Sequence, residues 1–205
     1  MSRRHRALGL AAITLGLAAA FADLRPIVDA KAVGVEQDRG AVSAPDLAER
    51  LVRGESLFVF DLRPRADYEQ LHVASARSAS PDDLARESFP PDAAIVVYAD
   101  DDARVARALS LLRARGYHNV FFLRDGVYEW IGRVLEPRLA VDATAAERAE
   151  FGRAAGLSRF FGGLPRADVP RAEVPVGYWT GAPQLRGHSP VAVRQAIARI
   201  RRRGC

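Results

Sequence analysis

Cysteine is nearly missing from these 205 residues: the one thiol is Cys205, the last residue. No intramolecular disulfide can form. A cysteine-based zinc site, which needs several Cys or His at close spacing, is excluded as well. The four histidines, His5, His72, His118 and His188, are scattered, so no His cluster, no metal and no cofactor are expected. Lysine is equally scarce, with Lys31 against 29 arginines, which reads as a high-GC coding bias rather than as chemistry. Long hydrophobic runs are lacking too. The longest charge-free apolar stretch, Ala7–Ala22, makes a helix of roughly 24 Å, short of a hydrocarbon core of about 30 Å. No internal repeat is present.

Basic charge is confined to the ends. Residues 1–22 carry Arg3, Arg4 and Arg6 and no acid, and residues 186–205 carry six arginines and no acid. The body, 23–185, holds 21 basic and 25 acidic residues. A nucleic-acid-binding core would show a basic face on the fold itself, so no nucleic-acid partner is expected.

A basic start, a short apolar run and small residues closing it describe an export signal. Ala20-Phe21-Ala22 fits small-x-small cleavage. Retention of residues 1–22 as a membrane anchor stays open beside cleavage, because Leu24, Ile27 and Val28 follow soon. Either way the expected location is periplasmic or otherwise extracytoplasmic. Residues 23–42 read as a linker, with Pro26, Gly34 and Gly40 and no sustained period.

From Ser43 the pattern becomes ordered. Ser43 and Pro45 open a short helix that ends at Gly54. LFVFDL (57–62), AAIVVYA (93–99) and HNVFFL (118–123) are short apolar runs of the kind buried strands show. Between them, helical turns are expected at Asp67–Leu71 and from Pro81, and a helix over Arg104–Arg115. Another follows over 126–135. Strands apolar throughout and alternating with helices predict an α/β fold: a doubly wound parallel sheet with helices on both faces. Ligands in such sheets sit at the carboxyl ends of the strands, which singles out Asp61–Arg65, Ala99–Arg104 and Arg124–Gly126. Beyond Pro137, Thr144 and Glu147 form a capping box that opens a helix to about Phe161. Ala167–Pro183 reads as an extended connector. From Ser189 a basic helix carries Val193, Ile197 and Ile200 on one face. Residues 139–205 are thus expected to be a mostly helical extension with a basic tail.

Over residues 43–138 the chain resembles a rhodanese domain. FDLRPRADYEQLHVASARS (60–78) is similar to the family's Asp-x-Arg, Tyr and Gly-His-Ile segment, with Asp61, Arg63, Tyr68, His72 and Ala76 at matching positions. IVVYA (95–99) resembles the strand that ends in the catalytic Cys, and GYHNVFFLRDGVYEW (116–130) the Leu-x-Gly-Gly and Trp ending. The resemblance implies a sulfurtransferase fold in which a Cys persulfide sits in a six-residue loop of backbone N–H groups at a helix start. Such a loop lowers a thiol pKa and holds an anion.

Here those six positions read Ala99, Asp100, Asp101, Asp102, Ala103 and Arg104. A methyl group at Ala99 forms no covalent intermediate. Three carboxylates line a cradle built for an anion, where each like-charge contact at about 4 Å costs on the order of 1–4 kcal/mol. Asp125 stands where the first Gly of Leu-x-Gly-Gly is expected. The expectation is a degenerate site without a catalytic residue, acting as an exported or anchored binding module. Its acidic loop would meet a protein partner, and its basic tail is a candidate for anionic membrane. Asp61, Arg63, His72 and Arg104 are candidate binding or structural residues, with an ion pair or turn hydrogen bond the plainer reading of Asp61 and Arg63. Two alternatives stay open: weak sulfur transfer through Cys205, and an envelope scaffold working through residues 186–205.

Overall fold

The computed structural model of the chain describes residues 40–175 and 178–179. The expected signal or anchor (1–22), most of the linker, the tail helix from Ser189 and Cys205 lie outside the described residues.

Five parallel strands form the main sheet in the order β1-β5-β4-β2-β3. They are β1 (Ala41–Val42), β2 (Leu57–Asp61), β3 (Arg77–Ser78), β4 (Ala94–Tyr98) and β5 (Val120–Leu123). Ala41 and Val42, read as linker from sequence, pair with Phe122 and Leu123 and so belong to the sheet. The central strand β4 shows why its sequence is apolar throughout. Val96 and Tyr98 enter one core with Val59 and Leu123, while Ile95 and Val97 enter the other with Phe60 and Val120. A strand buried on both faces has no polar side to alternate with.

The first core is covered by α1 (Ala44–Val52) and by the segment that runs from α5 (Gly126–Glu129) into a π-helix (Trp130–Leu135). The second is covered by α3 (Pro81–Arg86) and α4 (Asp102–Ala114), through Leu84, Ala108, Leu109 and Leu112. A short α2 (Arg65–Gln70) follows β2. Helix starts follow the caps. Ser43 accepts from the Asp46 N–H at α1, and Ser80 and Asp83 close a capping box at α3.

The extension, expected to be mostly helical, combines a long helix with a small strand pair. α6 (Ala145–Phe160) opens on the Thr144–Glu147 capping box and sets Leu157 and Phe161 against the first core. Around it, β6 (Arg138–Ala140) and β7 (Arg166–Val169) form a separate parallel pair. Residues 167–169, read as connector, are therefore strand. Their backbone partners lie about 30 residues upstream and leave no local periodicity to read. Helix 126–135 forms, but its second half is π-helical, with the Glu136 N–H bonding to Ile131 O.

The extension also grips the π-helix. Ser158 Oγ donates to Leu135 O at 2.9 Å, the Leu164 N–H donates to the same carbonyl, and the Tyr178 hydroxyl donates to Gly132 O. Among the described residues no helix is long and apolar enough to cross a membrane.

Candidate functional site

The carboxyl ends of β2, β4 and β5 meet at one end of the sheet. β4 stops at Tyr98, and α4 begins at Asp102, so only Ala99, Asp100 and Asp101 lie between them. The expected six-residue loop is thus half consumed by helix: Asp102, Ala103 and Arg104 are the first three residues of α4. The cause is Asp101. Its backbone is extended, and its Oδ1 accepts the Ala103 N–H at 2.9 Å, capping the helix two residues earlier than the apolar pattern suggested. Asp101 and Asp102 both sit at the positive end of the helix dipole, where negative charge is stabilised.

Ala99 is half-buried beneath the turn that starts α5. That turn places Asp125 (φ 48°) and Gly126 (φ 53°) consecutively in the left-handed region. Two such residues in a row explain why a Gly-Gly pair suits this position. Asp is among the few other residues that tolerate one of the two. Gly126 has a second reason to lack a side chain: a Cβ there would lie 3.1 Å from Ala99 O.

Asp61 and Arg63 are brought together at the end of β2. Asp61 is fully buried and Arg63 is 8% exposed. Arg63 Nη2 reaches Oδ2 at 2.6 Å and Nε reaches Oδ1 at 3.0 Å, a fork on a carboxylate. Nη2 also donates to Leu71 O at 2.6 Å. Arg104 reaches back to the same strand end, Nη1 donating to Leu62 O at 2.8 Å. Both arginines are thus hydrogen-bonded into the scaffold. His72 is exposed; its Nδ1 is 2.9 Å from Tyr68 O and its ring stacks on Tyr68 at 4.1 Å. Its contacts are with α2 rather than with the Ala99–Asp101 turn. The Tyr68 hydroxyl in turn donates to Ala76 O.

Asp100 projects from the turn. Solvent reaches it, but the protein around it pushes its carboxyl above the usual range. Arg63 and Arg104 pull it down, while Asp67 and Asp61 push it further up. Burial likewise raises the Tyr128 hydroxyl, with Asp100 and Asp67 adding to the effect and Arg63 opposing it. Asp67, Asp100 and Tyr128 therefore share one electrostatic neighbourhood with Arg63. Among the described residues no group of three or more His, Cys, Asp and Glu has the geometry to hold a metal ion.

Two polar residues inside apolar runs escaped the sequence reading. Tyr98 ends β4 fully buried; its hydroxyl accepts the Val73 N–H and bonds with Asp61. Glu129 is buried and accepts the Ala44 N–H at 2.9 Å. The available signal was a lone polar atom in an otherwise apolar segment, which implies a partner.

Residues 43–133 match the model of the rhodanese-like domain family. No curated protein matches the chain. A rhodanese-like domain from Anabaena sp., solved by NMR, is 30% identical over 44% of this chain and 72% of that one, with a TM-score of 0.40. A rhodanese-like domain protein from Staphylococcus aureus is 16% identical over 44% of this chain and 90% of that one, with a TM-score of 0.40. A rhodanese-related protein from Thermoplasma volcanium is 23% identical over 45% and 90%, with a TM-score of 0.38. With its parallel five-stranded sheet, its strand-end turn and this match over 43–133, the chain belongs to the rhodanese-like family.

Proposed function

We propose that this is a non-catalytic rhodanese-like module, exported or membrane-anchored through residues 1–22, which presents its Ala99–Asp102 turn to a protein partner with basic side chains. The observation that carries the reading is Ala99 at the end of β4, where the family places its thiol. A methyl group offers no electron pair to take up sulfur. The surroundings support it. Arg63 is forked onto Asp61 and Arg104 is bonded to Leu62 O, so the two cations that act on Asp100 are held by the fold. Asp67, Asp100, Asp101 and Asp102 give the turn the sign that suits a Lys or Arg side chain and repels thiosulfate.

The test measures sulfur transfer from thiosulfate to cyanide, giving sulfite and thiocyanate, in the full chain and in Cys205→Ser, each with and without Ala99→Cys. The expected outcome is no activity in the wild type and a gain in Ala99→Cys, with Cys205→Ser without effect. Wild-type activity that Cys205→Ser abolishes would make the terminal thiol the sulfur carrier and sink the proposal. A fluorescent Arg-rich peptide provides the binding arm: the chain should bind it salt-sensitively, and Asp100→Lys should weaken that binding. Binding to anionic vesicles that is lost on deleting residues 186–205, with no peptide binding at the turn, would favour the scaffold reading instead.

A further inference from the structure

Where the extension meets the π-helix, two buried hydrogen-bond donors have no acceptor among the described residues. One is Arg133 Nε, inside the π-helix; the other is Trp179 Nε1, in the extension. Both side chains lie against one ring. The guanidinium carbon of Arg133 is 5.4 Å from the centre of the Tyr178 ring, and the Trp179 ring stands edge-on to that same ring at 4.7 Å. The row is held at both ends. The Tyr178 hydroxyl donates to Gly132 O in the π-helix, and Phe151 of α6 meets the Trp179 ring edge-on at 6.1 Å.

The local charge is positive. Among the described residues Arg133 makes no hydrogen bond and no ion pair. The neighbouring acids are engaged elsewhere: Glu129 Oε2 accepts the Ala44 N–H, and Glu136 faces Arg138 at 3.8 Å. The Tyr178 hydroxyl feels the charge of both Arg133 and Arg138. Solvent reaches Arg133 and Trp179, which are half-buried as residues, but it does not reach the two nitrogens. A buried donor without an acceptor costs free energy, and each one in a folded protein calls for an explanation. A π-helical turn inside a helix often marks a functional position.

We propose that this seam is a carboxylate-binding site, in which the Arg133 guanidinium and the Trp179 indole N–H take the oxygens of a carboxylate. A cation and a neighbouring N–H donor call for an oxyanion, and shape chooses among oxyanions. A carboxylate is planar and pairs with one edge of a guanidinium through two parallel bonds. A tetrahedral phosphate needs more room beside a sealed Nε. The carboxylate belongs either to an acidic peptide or to a small free acid. The site uses neither Ala99 nor the acidic turn, so it stands or falls separately from the strand-end reading.

The test follows the Trp179 indole N–H of the full chain by heteronuclear NMR, its signal assigned by its loss in Trp179→Phe. Succinate, a Glu-rich peptide and inorganic phosphate are titrated at constant ionic strength. A saturable shift of the Trp179 signal, with the Trp130 signal unmoved, is expected from a carboxylate. Saturation by succinate identifies a free acid as the source, and saturation by the peptide alone identifies a partner's acidic side chain. Arg133→Gln should weaken binding at least about tenfold. Arg133→Lys should restore only part of it, because an ammonium cannot pair edge-on with both oxygens. No saturable shift with either carboxylate, tighter binding of phosphate than of both, or unchanged affinity in Arg133→Gln overturns the proposal. Should Arg133→Gln not fold, calorimetry of Trp179→Phe decides alone: undiminished carboxylate affinity is equally fatal.

Discussion

The Tyr98 hydroxyl accepts the backbone N–H of Val73 at 3.0 Å, tying the last residue of β4 to the loop after α2. Val73 is fully buried, so no water replaces that bond. Tyr98→Phe should cost about 1–3 kcal/mol, the penalty for a buried donor left unmet. Urea unfolding of the variant reads it directly, and a loss within error of zero would mean that the loop repacks.

Arg63→Ala should be worse. It strips the guanidinium fork from a fully buried Asp61 and leaves its carboxylate without a counter-charge, a loss of about 3–5 kcal/mol. Arg63→Lys should recover only part of it, because an ammonium cannot bond both carboxylate oxygens and Leu71 O in one plane. Equal stability of Lys and Arg here would show that charge alone matters at this position.

Gly163 and Gly152 form an internal control pair for the extension. A Cβ at Gly163 would collide with Leu135 O and stand 2.6 Å from Ser158 Oγ, whereas one at Gly152 meets nothing within 4 Å. Gly163→Ala should destabilise by about 1–3 kcal/mol. Gly152→Ala, inside α6, should stabilise by about 0.5–1 kcal/mol. Thermal unfolding of both variants beside the wild type checks the opposite signs.

Acid should loosen the extension through Glu147. Arg171 and the Thr144 cap hold its carboxyl down at about 2, from an ordinary 4.5. A lowered value means that the contribution is present above 4.5 and is lost as pH falls through about 2. The pair is exposed, so salt should weaken it. Trp179 fluorescence, followed from pH 5 to 2, should show the extension responding at higher pH in Arg171→Gln than in the wild type.

The parts of this fold that could be read from sequence are those whose cause is local. β2, β4 and β5 announce themselves because both faces are buried, α1 and α6 because Ser43 and Thr144 cap them, and α3 because Pro81 opens it. β1 and β3 have two residues each and exist only because β5 and β2 offer them partners. The start of α4 was set two residues too late because a run of three Asp hides which one is the cap. At the site, the Asp61–Arg63 spacing of two residues made their pairing legible. Tyr98 and Glu129 were missed because their partners, Val73 and Ala44, are 25 and 85 positions away.

The same two short strands have a consequence for how the molecule meets its own copies. Among the described residues β1 and β3 are the edges of the main sheet, so there each rim offers only a few backbone groups. A long, flat edge is a template for strand addition and for aggregation. Here the well-formed strands β2, β4 and β5 are all interior, and the rim of the main sheet gives an incoming strand little to extend.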